Sequence, residues 1–380
     1  MLRIFEVIEP SANLQVPGNR TWFRNLYEPL IEMGHDVVLF SAVAGRLAMR
    51  RKVARQRAEF SQNLWEAFSR EHARRPFDLV FAYLMDGMVE PAVLDDIRRV
   101  GVPTCNFSCN NIHQFDLVDE ISPRFDYCLH AEKLVRAKFL AIGACPVWWP
   151  MASNPKYFRP LDVPRTIPVS FVGANYALRA RYVADLLSEG VEVHAYGPGW
   201  SSGTMSVRFL AKRYWLLLKT LTTLTARTRC RYSAMLSEHD FRRWLSARYA
   251  ANVHPPVSDQ MLIELYSRSH ICLGFLEVHE GHDPSRPIRR HVHLREFEAP
   301  MSGALYCTGY LDELAEMFEP GKEMLMYRDQ NELVEIVKRY LAEHKEAERV
   351  RQAGRRRALQ DHTYQRRFTM LFERLGLGRR

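Results

Sequence analysis

A chain of 380 residues in which 47% of the side chains are hydrophobic has material for two cores of ordinary size, so two folded domains are expected. No run approaches the roughly 18 uninterrupted apolar residues of a membrane span, and residues 1–8 already read as a strand, which points to a cytosolic protein. The net charge of +9 permits anionic partners (nucleotide phosphates, acidic lipid headgroups or nucleic acid) without choosing among them.

The first half alternates strand and helix. Strands are predicted at residues 2–8, 36–40, 78–83, 102–107, 126–130 and 147–149, with helical periodicity between most of them. Such alternation argues for an α/β fold with a parallel sheet covered on both faces. After the first strand, Pro17-Gly18-Asn19 stands directly before the amphipathic stretch 21–33. A glycine there lets backbone N–H groups approach an anion at a helix N-terminus; a plain turn and helix cap is the other reading.

Five prolines fall between Pro150 and Pro168, where helical periodicity is lost, and this stretch is the predicted inter-domain linker. A second alternation follows, with a strand at 167–172, Gly173, a helix at 178–188 and a strand at 191–196. Later strands are predicted at 251–254, 271–275, 304–307 and 323–327, before helices from residue 330 onward and an arginine-rich tail. The expected domains are residues 1–160, residues 161–360, and a C-terminal helix, 361–380, that returns to the first domain. The seven cysteines are odd in number, lack any C-x-x-C pair and lie mostly in apolar runs, so they read as buried thiols and not as disulfides or a zinc site.

Residues 193–237 contain no acidic residue, and within this stretch 201–237 reads as a basic amphipathic insertion. At 100° per residue Leu210, Tyr214, Leu217, Leu221 and Leu224 share one face, and Arg208, Lys212 and Lys219 lie opposite. This is the pattern of a helix packed on its own domain and equally that of a contact with an anionic membrane surface. Part of the basic tail reads as a mixed-charge helix and not as a nucleic-acid stripe. Arg355, Arg356 and Arg357 sit among Glu343, Glu346, Glu348 and Asp361, so no nucleic-acid partner is expected.

The stretch from Arg295 to Cys307 reads as a helix end carrying Glu298, a turn at Gly303 and a short buried strand. In open α/β sheets ligands bind outside the carboxyl ends of the strands, where a carboxylate commonly accepts hydrogen bonds from ribose hydroxyls.

Six segments together resemble the CgeB-like (spore maturation protein) glycosyltransferases, which are related to glycosyltransferase family 4 and have the GT-B fold. They are Asn25-Leu-Tyr-Glu-Pro-Leu-Ile-Glu-Met-Gly-His-Asp-Val37, Asn106-Phe-Ser-Cys-Asn-Asn-Ile-His113, Val169-Ser-Phe-Val-Gly-Ala174, Tyr196-Gly-Pro-Gly-Trp200, Arg295-Glu-Phe-Glu298 and His362-Thr-Tyr-Gln-Arg366. The resemblance implies two Rossmann-like domains facing across a cleft. It also implies a hexosyltransferase-like enzyme of polysaccharide biosynthesis. Such an enzyme moves a sugar from a nucleotide-diphosphate sugar, as co-substrate without a further cofactor, to a cell-envelope glycan, lipid-linked or protein acceptor. With the basic insertion, the expected location is cytoplasmic and peripheral on the inner face of the membrane.

By the same resemblance Glu298 binds the nucleotide ribose as the second glutamate of the family 4 Glu-x7-Glu pattern. The first falls on Arg290, so that contact does not carry over. Two phosphates need fixed positive charge, for which Arg179 and Arg181 after the Gly173 loop, and Arg295, are the candidates; Gly173 itself, Gly18 and Asn19 complete the donor-binding set. No acidic pair is placed like a metal site. Catalytic candidates are His113 and Asp116 in the loop after the fourth strand, and Asp86 after the third. Asn110 and Asn111 stand where relatives often carry Asp. Together with the missing first glutamate, they keep open a non-catalytic GT-B-like protein that binds a nucleotide or glycan.

Overall fold

The computed structural model describes residues 1–9, 21–201, 207–223 and 225–377, of which 207–210 through their backbone alone. The predicted Gly18-Asn19 turn lies outside the described residues. The chain forms two compact units, one of Met1–Asn154 with Asp361–Arg380 and one of Pro155–Gln360. The outgoing crossing between them falls inside the proline-rich stretch.

The first unit contains a six-stranded sheet of β1 (Arg3–Ile8), β2 (Asp36–Ser41), β3 (Leu79–Ala82), β4 (Thr104–Ser108), β5 (Tyr127–His130) and β6 (Pro146–Trp148). The order is β2-β1-β3-β4-β5-β6, and every pairing is parallel. A parallel sheet has to be covered on both faces. Phe5 and Val7 pack on one side with Phe68 and Phe77, while Phe81 and Phe107 pack on the other against Trp149.

The last helix, Tyr364–Arg374, completes that second face. Phe368 meets Phe81 at 5.2 Å and Trp149 at 5.3 Å. Arg367, 5% exposed, donates to the carbonyls of Pro150, Met151 and Asp361 at 2.9, 3.3 and 2.8 Å. One planar cation thus fastens the outgoing chain at 150–151 to the returning chain at 361. Burial lowers its pKa to about 10, so it stays charged at neutral pH.

The second unit has strands β7 (Ile167–Val172), β8 (Val193–Tyr196), β9 (Val253–His254), β10 (Ser269–Leu273), β11 (Glu277–His279), β12 (Ile288–Arg290), β13 (Tyr306–Gly309) and β14 (Leu325–Tyr327). Six of them form a parallel sheet of order β14-β13-β10-β7-β8-β9, and β11 and β12 make a separate antiparallel hairpin. All twelve strands of the two large sheets overlap predicted ones, and the α/β class is observed. The hairpin was not anticipated. Its arms have three residues each, and β12 is mostly exposed with two arginines, so it carries no apolar run.

Between β8 and β9 stand two helices, Val207–Thr222 and Ala226–Arg248. The first is turned differently from the amphipathic reading. Leu216 is fully buried, whereas Tyr214, Leu218 and Leu221 are 65%, 58% and 79% exposed. The side chains of Arg208 and Leu210, and all of Leu224, lie outside the described residues. No helix among the described residues is long and apolar enough to cross a membrane. Of the seven cysteines, all free, Cys145 and Cys230 are exposed; the expectation of buried thiols holds for Cys105, Cys128, Cys272 and Cys307.

Arg367→Lys should lower the unfolding temperature and cost about 2 kcal/mol, because one ammonium cannot replace a guanidinium fork spread over three carbonyls. Scanning calorimetry of the two proteins measures it, and an unchanged transition would show that the staple is dispensable.

Candidate active site

In the second sheet, β7 lies between β8 and β10, so the strand order reverses there. Ligands of open α/β sheets bind at this reversal, outside the carboxyl ends of the strands. Gly173 follows β7 at that point. A Cβ on it would stand 2.7 Å from the Phe171 ring and 3.3 Å from Arg179 Nη1, so glycine is what leaves room for the arginine. Arg179 opens the helix Arg179–Ser188, and its guanidinium is fixed by donation to the carbonyls of Ala174 and Phe275, both at 3.0 Å. It also lies 3.7 Å from the centre of the Tyr176 ring.

Arg295 opens the helix Arg295–Met301 and faces the same small cavity as Arg179, together with His293, Glu296 and Tyr306. The Nε groups of both arginines are buried without a hydrogen-bond partner. Burial lowers the pKa of Arg179, the nearby charge of Arg295 adding to that effect and Tyr176 opposing it. The cavity measures about 10 Å³, room for little more than one water. It is therefore a cationic floor and not itself a ligand pocket.

Glu296, which the sequence reading passed over, is the carboxylate of this floor. It accepts from the backbone N–H of His293 at 2.7 Å, the Tyr306 hydroxyl at 3.2 Å and the Thr308 hydroxyl at 3.3 Å. Burial pushes its pKa up to about 7 in spite of these bonds. Glu298 is nearly buried on the same helix and interacts electrostatically with Arg295.

Arg290 is committed elsewhere. Its Nε donates to Glu277 Oε1 at 2.9 Å, and its two terminal nitrogens donate to the carbonyls of Tyr310 and Arg328 at 3.3 and 3.0 Å. The Tyr182 hydroxyl completes the group by donating to the same Glu277 oxygen at 3.1 Å. Arg290 thus ties the β11–β12 hairpin to the ends of β13 and β14. Arg181 does not join the arginine pair; it is exposed, with its guanidinium 5.4 Å from the centre of the Phe241 ring.

The first unit brings the other candidates together at the ends of β3 and β4. Asp86 accepts from the backbone N–H groups of Glu120 and Ile121, each at 3.0 Å, and its own N–H donates to Leu117 O. Both carboxylate oxygens thus brace the loop that carries His113 and the exposed Asp116. Burial raises the pKa of Asp86 to about 6, against the two backbone bonds. Asn110 takes a left-handed conformation, φ 64°, and the side chain of Asn111 donates to Ser108 Oγ at 2.8 Å. Among the described residues no three His, Cys, Asp or Glu side chains are grouped to hold a metal ion.

Glu296 makes stability depend on pH in a defined direction. Its folded pKa of about 7 exceeds the ordinary 4.5, so its contribution is present below about pH 4.5 and is lost as pH rises through about 7. Glu296→Gln should therefore gain unfolding temperature relative to the wild type between about pH 5 and about pH 8. A difference that stays constant over this range would place the titration of Glu296 elsewhere.

A family model described as glycosyl transferase-like matches residues 179–373, which span the arginine pair, Glu296 and Glu298. No curated protein matches the chain. Among solved structures, a sucrose-phosphate synthase from Thermosynechococcus elongatus has a TM-score of 0.61 at 15% identity, over 98% of this chain and 99% of its own. AviGT4, a glycosyltransferase involved in avilamycin A biosynthesis, has a TM-score of 0.58 at 16% identity, over 99% and 98%. HepE of Anabaena, in complex with UDP and glucose, has a TM-score of 0.57 at 10% identity, over 99% and 100%. These likenesses give the fold, two α/β units of the GT-B type. With more than half of its residues matched by that model, the chain belongs to the glycosyl transferase-like family.

Proposed function

We propose that the protein transfers a hexose from a nucleotide-diphosphate sugar to a cell-envelope acceptor, as a CgeB-like enzyme related to glycosyltransferase family 4. The observation that carries this reading is the pair of guanidinium groups, Arg179 and Arg295, with orphaned N–H groups at the reversal point of the second sheet. Charge of this density calls for a polyanion, and the planar guanidinium suits phosphate oxygens. In this reading the arginines hold the diphosphate and stabilise it as it departs, Gly173 keeps the approach open, and Glu298 takes the ribose hydroxyls. No metal is needed for that charge. That HepE is seen with UDP and glucose supports a uridine nucleotide as the first donor to try.

On the acceptor side His113 and Asp116 are the groups proposed to take the proton of the attacking hydroxyl. Asp86, with both oxygens engaged by backbone N–H groups, serves as the brace of their loop. The acceptor is a glycan, lipid-linked or protein-bound, of polysaccharide biosynthesis. The exposed Tyr214, Trp215, Leu218 and Leu221 rest on an anionic membrane surface, with Lys219 and the arginines at 227 and 229 against its headgroups.

Titration of nucleoside diphosphates against the full chain tests the donor side. At 100 times its dissociation constant the correct one should stabilise the fold by about 2.7 kcal/mol, and Glu298→Ala should weaken its binding by about 1.5–3 kcal/mol. Unchanged affinity in the folded variant would remove Glu298 from the site. Binding without transfer or hydrolysis of the sugar nucleotide would favour the non-catalytic binding protein instead.

Co-sedimentation with acidic liposomes tests the membrane contact. The wild type should bind at low salt, and Leu218→Ser with Leu221→Ser should release it while leaving nucleotide affinity unchanged. A wild type that ignores acidic liposomes would show that the exposed helix serves another purpose.

A further inference from the structure

Next to the arginine floor, in the same unit, lies a larger cavity of about 390 Å³, within the range of small-molecule sites. One wall is the turn after β7, with Tyr176 and Ala177; the facing wall is the helical insertion, with Lys212 and Leu216 on its first helix and His239 and Arg242 on its second. His279 and His282, on and beyond β11, close a third side. Two of the four non-glycine residues with positive φ among the described residues, Ala177 (52°) and His282 (55°), line this space. A left-handed conformation is unfavourable for residues that carry a Cβ, and such strain is commonly kept where a site shapes the backbone.

The lining has two chemical characters. Leu216, Met235, Pro284 and the Tyr176 ring give an apolar wall. Lys212 and Arg242 give fixed positive charge. The one carboxylate, Glu238, is shared between Arg242 Nη2 at 2.7 Å and His279 Nε2 at 3.5 Å. Lys212 makes no hydrogen bond or ion pair among the described residues, so it leaves uncompensated positive charge in the lining. An occupant has to offer both an anion and an apolar body.

The insertion helix Val207–Thr222 separates two environments. Lys212 and Leu216, one turn apart, line the cavity, while Tyr214, Leu218 and Leu221 are exposed. The cavity also adjoins the donor floor through Tyr176, whose ring lies under Arg179 at 3.7 Å and meets the His282 ring edge-on at 6.1 Å. An occupant therefore touches the same ring as the arginine assigned to the donor.

We propose that this cavity is a second anion site that takes a phosphate borne on an apolar chain. Its phosphate lies against Lys212 and Arg242, and the chain lies along Leu216, Met235 and Tyr176. Resting on the donor reading above, this names the acceptor class as a lipid phosphate or a glycan carried on one. The insertion helix then presents one face to the lipid surface and the other to the headgroup drawn from it.

Calorimetric titration of the full-length protein with geranyl phosphate, geraniol and inorganic phosphate tests the assignment, each with and without saturating UDP. Geranyl phosphate should bind with UDP present, more tightly than inorganic phosphate or geraniol. Lys212→Glu should weaken it about tenfold or more while leaving UDP affinity unchanged. Absence of binding, binding no tighter than that of inorganic phosphate, or binding insensitive to Lys212→Glu would each overturn the proposal. Failure of UDP to bind would strike the donor reading alone, since the titrations without UDP still report on the cavity.

Discussion

The cost of keeping the Arg179 guanidinium out of water shapes the centre of the second unit. Burying a cation costs less the more of its N–H groups are satisfied and the better its charge is balanced nearby. Two of those groups reach carbonyls at the ends of neighbouring strands, Ala174 after β7 and Phe275 after β10. The approach requires bare backbone. A Cβ at Gly173 would collide with the Phe171 ring, and one at Gly274 would strike the hydroxyls of Tyr306 and Thr308. Those hydroxyls are in turn the donors to Glu296, so the two glycines and both members of the charge system belong to one packing solution.

Within that solution Glu296 and the arginines play unequal parts. Its proton is held to about pH 7 by burial, so near neutrality the floor alternates between a carboxylate and a neutral acid. The arginines keep their charge throughout. An arriving polyanion supplies permanently what Glu296 supplies part of the time. A floor in which Glu296 is charged only part of the time, with Glu298 acting on Arg295 beside it, is one that an anionic ligand can complete.

Much of this was legible in the sequence, for identifiable reasons. The strands of both large sheets are short apolar runs, because parallel strands are buried on both faces, and such runs stand out without any tertiary information. Arg295 and Glu298 stand out through the order of short segments along the chain, and Arg179 through its place after the Gly173 loop. Glu296 escaped notice although it sits between two of those residues, since its burial comes from pairing with Tyr306 and Thr308 on β13 and not from local pattern. Arg181 looked equivalent to Arg179, two positions away. On a helix that spacing puts them about 200° apart, and only one can face the sheet edge. The period of the insertion helix leaves open whether its leucine face packs on the domain or stays outside; Tyr214 and Leu221 are exposed, and the helix is buried through Leu216 instead.

Arg290 has a structural part to play. A glutamate at this position would bring a second carboxylate to the nearly buried Glu277, whereas arginine neutralises it and reaches two strand-end carbonyls as well. The β11–β12 hairpin is thereby pinned to the sheet through its last residue, while the segment between its arms carries His282, and His279 on β11 faces the same cavity. Rigid attachment at one end of the hairpin gives the other end a defined wall to form. Arg290 is thus the residue that anchors the hairpin lining the neighbouring cavity.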